Sequence, residues 1–358
     1  MRHIRIVANL VIFTTLLATV SLWGLTANAA DADKSRELVI LNWEEYLDPD
    51  LVAEFEEAFN AKVREVYYEQ DNERDKLLLQ SDGKGYDIAI IDGLSIANYQ
   101  KRGWLARIDQ QQIPNLQHIH PRWRSAHALA SDYAVPYFWG TTGIAYRSDL
   151  IDTEITSWME LFKPPEAAMG RIAMVSDPRD LTASALLALG HSPNTGDLAE
   201  LEAARNLLMA QKPHVRSYSY ISMEEDSSLL AGDVTMAFMW SGDALALQEQ
   251  NENITYVVPK EGSLLWVDYM AILEGSQNKD LAAAFINFMN EPKMAARQAE
   301  YVYYPTPNKA AEAFLPAEFL EDEVIYPSTA ILDRSSFYGT VPASAARRYA
   351  LIVAQITR

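Results

Sequence analysis

ELVILNW (37–43), DPDLVAEFEEAFNA (48–61), KVREVYY (62–68), NERDKLLLQ (72–80) and YDIAIID (86–92) follow one another with short breaks, and this run decides the fold. The first, third and fifth pieces are short, apolar and β-branched, as strands are; the second and fourth have helical length. In the second, Asp48 stands where a helix cap stands and Pro49 suits the first turn, while Leu51, Phe55, Ala58 and Phe59 form one stripe. The order is β-α-β-α-β, which predicts a parallel sheet with helices on both faces.

The theme restarts downstream. YAVPYFWGTTGIAYR (133–147), GRIAMVSD (170–177), DVTMAFMW (233–240) and ITYVVPKEG (254–262) are strand-like, and LTASALLALG (181–190) and LAELEAARNLLMAQ (198–211) are helical. The chain has 358 residues and is 49% hydrophobic, enough for more than one core. Two α/β lobes, with the chain passing between them more than once, are the architecture expected.

The N-terminus has the features of an export leader. MRHIR is basic, the run from Ile6 to Thr26 is apolar, and Ala27–Ala29 (ANA) is a small-residue cleavage site, so residues 1–29 are expected to leave. No later apolar run has the length of a membrane span. The chain contains no cysteine, which excludes a disulfide framework and a lipid-modified N-terminal Cys. A formal charge of −19 argues against nucleic acid and anionic membranes as partners and is compatible with a cationic ligand. The expected protein is a free, monomeric periplasmic one with no cofactor and no metal.

In open parallel sheets ligands lie at the carboxyl ends of strands. Acids and aromatics coincide there. The first strand ends in Trp43, Glu44, Glu45 and Tyr46; the third ends at Asp92; the strand from 170 ends in Asp177 and Asp180; the strand from 233 ends in Trp240 and Asp243. SLLWVDYMAI (263–272) carries Trp266 and Asp268 inside an apolar run, with Leu264, Trp266, Asp268 and Met270 on one face and Leu265, Val267, Tyr269 and Ala271 on the other. Each site alone has an ordinary reading, as a helix cap or a core indole. Together they suit an elongated organic cation: carboxylates neutralise ammonium groups, and indole and phenol faces cover the methylenes between them.

These landmarks resemble the spermidine/putrescine-binding periplasmic receptors of polyamine ABC transporters. The matching pieces, in order, are NWEEY, YDIAI, VPYFWGTTGIAY, SWMELFKP, FMWSGDA, VPKEGSLLWVDYMAI and YYPTPN, spanning about Leu38 to Asn308. The resemblance implies an α/β, type II periplasmic-binding-protein fold, with two lobes joined by crossing hinge segments and a ligand cleft between them. It places lobe 1 at 30–139 and 268–306 and lobe 2 at 140–267 and 307–358, with crossings near 137–142, 266–268 and 304–308.

It also implies a ligand set. Trp43 and Tyr46 match the family's first-strand aromatics, and Glu45 an acid of its putrescine-type members. Asp177 and Asp180 match an acidic pair, Trp240 the indole of W-x-G, and Asp243 an acid three residues later. Trp266 and Asp268 match the aromatic and the main amine anchor, and Tyr304 the tyrosine before PTPN. Two departures stand out. The family's Ser-x-Tyr/Phe becomes Asp92-Gly93-Leu94, which adds Asp92 as a secondary anchor and removes an aromatic wall. Phe337 or Tyr338 replaces a glutamine.

The expected function is polyamine capture and delivery to a permease, or presentation to a membrane-bound sensor. A ferric-ion receptor using Tyr67–Tyr68 or Tyr303–Tyr304, a hydrolase using paired carboxylates, and a metal site at His118, His120 and His127 are the competing readings. None of them gives the acids and indoles a common role.

Overall fold

The computed structural model describes residues 35–357, so the leader expected at 1–29 lies outside the described residues. Among the described residues ten strands run in chain order: β1 (Arg36–Asn42), β2 (Ala61–Tyr67), β3 (Ile88–Asp92), β4 (Val135–Arg147), β5 (Ile172–Met174), β6 (Val215–Tyr218), β7 (Met236–Trp240), β8 (Ile254–Val257), β9 (Leu264–Ile272) and β10 (Ser336–Phe337). Their spatial order is β2-β1-β3-β9-β4-β7-β5-β6, with β8 beside β4 and β10 beside β9.

The opening β-α-β-α-β run folds as read. β1 pairs in parallel with both β2 and β3. The helix Pro49–Phe59 starts with the Asp48 carboxylate accepting from the Asp50 amide at 2.9 Å, and it ends at Asn60 in the left-handed conformation, φ 45°. Leu51 and Phe55 are its buried face.

The parallel order of the opening run ends at β9, which runs antiparallel to both β3 and β4. Strand polarity depends on the path of the long connections, and no local pattern encodes it. The consequence is functional. Asp268 lies not at a strand's end but directly opposite Asp92, the last residue of β3.

The central strand β4 joins two bodies. Its first half, Val135–Thr141, pairs with β9, and its second half, Thr142–Arg147, pairs with β7 and β8. Each half-sheet is covered on both faces. On one face of the first, Leu38, Ile40, Ile88, Ile90 and Met270 meet Phe55, Phe285 and Ile286 from helices; on the other, Leu41, Ala89, Ile91, Tyr269 and Ala271 meet Tyr99, Trp104 and Trp123. The second half-sheet packs Ile144, Ile172, Met236 and Phe238 against Leu186, Leu208 and Tyr349, and Ala145, Ala237 and Met239 against Leu229 and Leu247. The face assignment for β9 follows the two-residue period: Met270 joins one core, and Val267, Tyr269 and Ala271 the other.

The tail differs from the expected lobe division. Ala311, Leu315, Phe319 and Ile325 pack into the first core beside Phe285, whereas the expected division puts 307–358 in the second lobe. Only beyond them does the chain reach β9 through β10, and the helix Ala343–Ile356 then seals the second core with Tyr349 and Ile352. Residues 304–308 run beside β4, where the Trp139 amide donates to the Pro305 carbonyl at 3.4 Å.

Candidate functional site

The site gathers where β1, β3, β7 and β9 and the helices after them converge. Its middle is Asp268. The Tyr46 hydroxyl donates to its Oδ2 at 3.0 Å, and no Lys or Arg is paired with it among the described residues. Burial raises its pKa well above the ordinary carboxylate range, and the nearby Asp71 and Asp92 charges add to the rise. Water still reaches part of the side chain. Trp43 packs edge-on to Tyr46, with centroids 5.5 Å apart, and leans on Tyr68 at 4.9 Å.

Toward the second lobe the wall continues through Tyr304, 6.2 Å from Tyr46 and perpendicular to Trp266 at 4.7 Å. The Tyr304 hydroxyl donates to Asp243 at 3.3 Å, and the exposed Tyr220 donates to the other oxygen of the same carboxylate. Desolvation moves Asp243 up to about 6. Trp240 stands 5.5 Å from Tyr220, and the two line a small recess with Val175, Phe238 and Asp243.

At the other end Asp180, buried in the first turn of the helix Pro178–Ala188, accepts from the Tyr338 hydroxyl. Burial, then the neighbouring Asp177 charge, raise its pKa well above the usual range. Tyr338 is held rigidly: the Asn194 side chain donates to the Phe337 carbonyl at 2.9 Å and accepts from the Gly339 amide at 2.8 Å. Three carboxylates thus share one pattern. Each is desolvated, Asp180 buried and Asp243 and Asp268 half-buried, each is contacted by tyrosine hydroxyls, and none has a cation among the described residues.

The remaining expected residues fall elsewhere. Asp177 is exposed and caps its helix, accepting from the amides of Arg179 at 2.7 Å and Asp180 at 3.1 Å. Glu45 is exposed, with a left-handed φ of 56°. Asp92 departs most from expectation, because Arg74 reaches it at 2.8 Å, and the guanidinium beside it outweighs burial and holds its pKa low. Tyr220, Tyr338, Asp71 and Arg74 were not singled out as ligand-site residues by sequence. Tyr338 was visible only as a departure from the family pattern.

The alternative sites dissolve. Tyr68 is buried and donates to the Ile90 carbonyl at 2.8 Å, while Tyr67 is 49% exposed, so that pair faces opposite ways. Tyr303 is exposed while Tyr304 turns into the site. His120 caps a short helix through its Nδ1, and His127 sits between the Tyr269 hydroxyl and the Tyr338 carbonyl at 3.1 and 3.0 Å.

Two glycines give the rings their room. A Cβ on Gly140 would overlap the Trp266 indole, and one on Gly242 would overlap the Tyr304 ring. Gly140→Ala is expected to push the indole out of place at a cost of about 1–3 kcal/mol, read as a drop in ligand affinity and a change in tryptophan emission.

The fold and site define a two-lobed binding protein. The family model for bacterial extracellular solute-binding proteins matches residues 50–326, and the chain belongs to that family. The Escherichia coli K12 spermidine/putrescine-binding periplasmic protein is 32% identical over 324 residues, covering 90% of this chain and 92% of that protein. The Vibrio cholerae norspermidine sensor is 34% identical over 292 residues, with coverage of 81% and 80%. Among solved structures, the spermidine/putrescine ABC transporter substrate-binding protein PotD from Streptococcus pneumoniae, in complex with calcium and HEPES, superposes with a TM-score of 0.82 at 31% identity, covering 90% of this chain and 98% of that one. The fold is the type II periplasmic-binding-protein fold.

Proposed function

We propose that this protein is a periplasmic receptor that captures a polyamine of the spermidine or putrescine class and delivers it to an ABC-transporter permease. One observation carries the reading: Asp180, which is buried, and Asp243 and Asp268, which are half-buried, are desolvated carboxylates whose side-chain hydrogen-bond partners are tyrosines. Buried carboxylates without counter-ions are costly, and a multiply charged amine supplies the counter-ions. The rings of Trp43, Tyr46, Trp240, Trp266 and Tyr304 cover the methylenes between its ammonium groups. The lobes that meet along β4 and β9 close on the ligand, and the protein acts as a monomer without catalysing a reaction.

The likeness to a norspermidine sensor supports a second role on the same pocket, presentation of the amine to a membrane signalling protein. Calorimetry with putrescine, spermidine, norspermidine and ferric ion tests the ligand. Amines are expected to bind stoichiometrically and to be recovered unchanged. An iron complex, or amine converted to product, would sink the proposal. Cross-linking in whole cells to a permease or to a membrane signalling protein separates the two roles.

A further inference from the structure

Asp92 and Asp268 are cross-strand partners on β3 and β9, so two acids stand side by side on one face of the sheet. Like charges in that position repel. Arg74, from the helix Asp71–Ser81, resolves the conflict by taking one of them. Its Nη2 donates to Asp92 Oδ2 and to Ser95 Oγ, both at 2.8 Å; its Nη1 donates to Asp71 at 2.9 Å and its Nε to the Tyr99 hydroxyl at 2.9 Å. The guanidinium also lies over the Tyr68 ring, 5.6 Å from its centroid, and its side chain is 1% exposed.

Asp92 has no acceptor capacity left. Its Oδ1 takes the amides of Leu94 and Ser95 at 2.8 and 3.0 Å, and its Oδ2 takes Arg74 and the Ser95 hydroxyl at 2.8 and 2.5 Å. A carboxylate offers about four lone-pair sites, and all are filled. Asp268, by contrast, accepts a single tyrosine hydroxyl.

Resting on the polyamine reading, we propose that Arg74 is a specificity-determining residue: it acts as a resident cation that closes Asp92 to ligand and sets the number of ammonium groups the cleft accepts at three. Asp180, Asp268 and Asp243 then take one each. A fourth ammonium meets either the guanidinium or a desolvated surface without an anion, and both cost affinity. A diamine leaves one buried acid unpaired.

The test is a calorimetric panel of putrescine, spermidine and spermine on the mature wild-type chain, Arg74→Met and the double variant Arg74→Met/Asp92→Ser. The wild type is expected to bind spermidine at least tenfold tighter than either other amine. Arg74→Met frees Asp92 and is expected to close the spermidine-to-spermine gap, and the double variant to reopen it. If Arg74→Met proves unfolded by circular dichroism, the wild type and the double variant still decide. Equal wild-type affinity for spermidine and spermine overturns the assignment. So does a folded Arg74→Met with the wild-type ratio, or a tenfold loss of spermidine affinity in the double variant, which would make Asp92 an anchor. A wild type that binds none of the amines overturns the polyamine reading itself, whereas one that binds all three without preference overturns the role of Arg74 alone.

Discussion

Asp268→Asn is expected to weaken spermidine binding by about 2–5 kcal/mol, which is roughly thirtyfold to a few thousandfold in affinity. The substitution keeps the shape and an oxygen for the Tyr46 hydroxyl. What disappears is the charge that meets an ammonium inside a largely desolvated cleft. The same change is expected to act oppositely on the ligand-free protein. The folded-state pKa of Asp268 lies above its unfolded value, so the folded chain holds more protons over the intervening pH range. Stability therefore falls as pH rises through that window. The Asn variant lacks this slope, so its melting temperature without ligand should exceed the wild type's at pH 7, and the difference should vanish in acid, where Asp268 is protonated both folded and unfolded. Unchanged spermidine affinity by calorimetry would remove Asp268 from the site. A variant less stable than wild type at pH 7 would mean that the carboxylate serves the apo fold, contrary to its lack of a cationic partner.

How much of this was legible in the sequence depends on the range of the interaction. Asp48 as a helix cap, the stripe of Leu51 and Phe55, and the helix at 198–211 are local patterns, and the structure places them as read. The positions of Asp180 after β5 and Asp243 after β7 were legible for the same reason, because a strand's end is marked by the turn that follows it, whereas Glu45 after β1 is exposed. Arg74 was not. NERDKLLLQ has the composition of a solvated helix, and nothing nearby announces that its one arginine turns inward to Asp92, eighteen residues away on another element. Tyr220 comes from a loop and Tyr338 from the residue just after the two-residue strand β10, and both positions are set by packing across the molecule. The polarity of β9 belongs with these. Because it runs against β3, Asp268 and Asp92 became neighbours, and Asp92 changed from an expected anchor into the partner of an arginine.

Acidification is expected to strip the ligand. Desolvation lifts Asp243 to about 6, and Asp180 and Asp268 are raised well above the ordinary carboxylate value. The ammonium groups of an aliphatic polyamine stay charged throughout this range, so only the protein titrates. An ammonium seated on a carboxylate favours its ionised form, so binding expels whatever proton that carboxylate carried in the empty cleft. Affinity must then rise with pH wherever the apo site is partly protonated. Asp243 alone accounts for about tenfold between pH 5 and pH 7, and Asp180 and Asp268 act in the same direction. Asp71 is also raised to about 6, but 54% of its side chain is exposed and it already serves Arg74, so solvent screening makes it a minor contributor. Calorimetry in two buffers of different ionisation enthalpy should register proton release at pH 6, and Asp243→Asn should remove its share of both the release and the pH slope. An affinity flat from pH 5 to pH 7.5 would mean that the three carboxylates are already fully ionised in the empty cleft, and the idea that the ligand supplies their missing counter-ions would lose its footing.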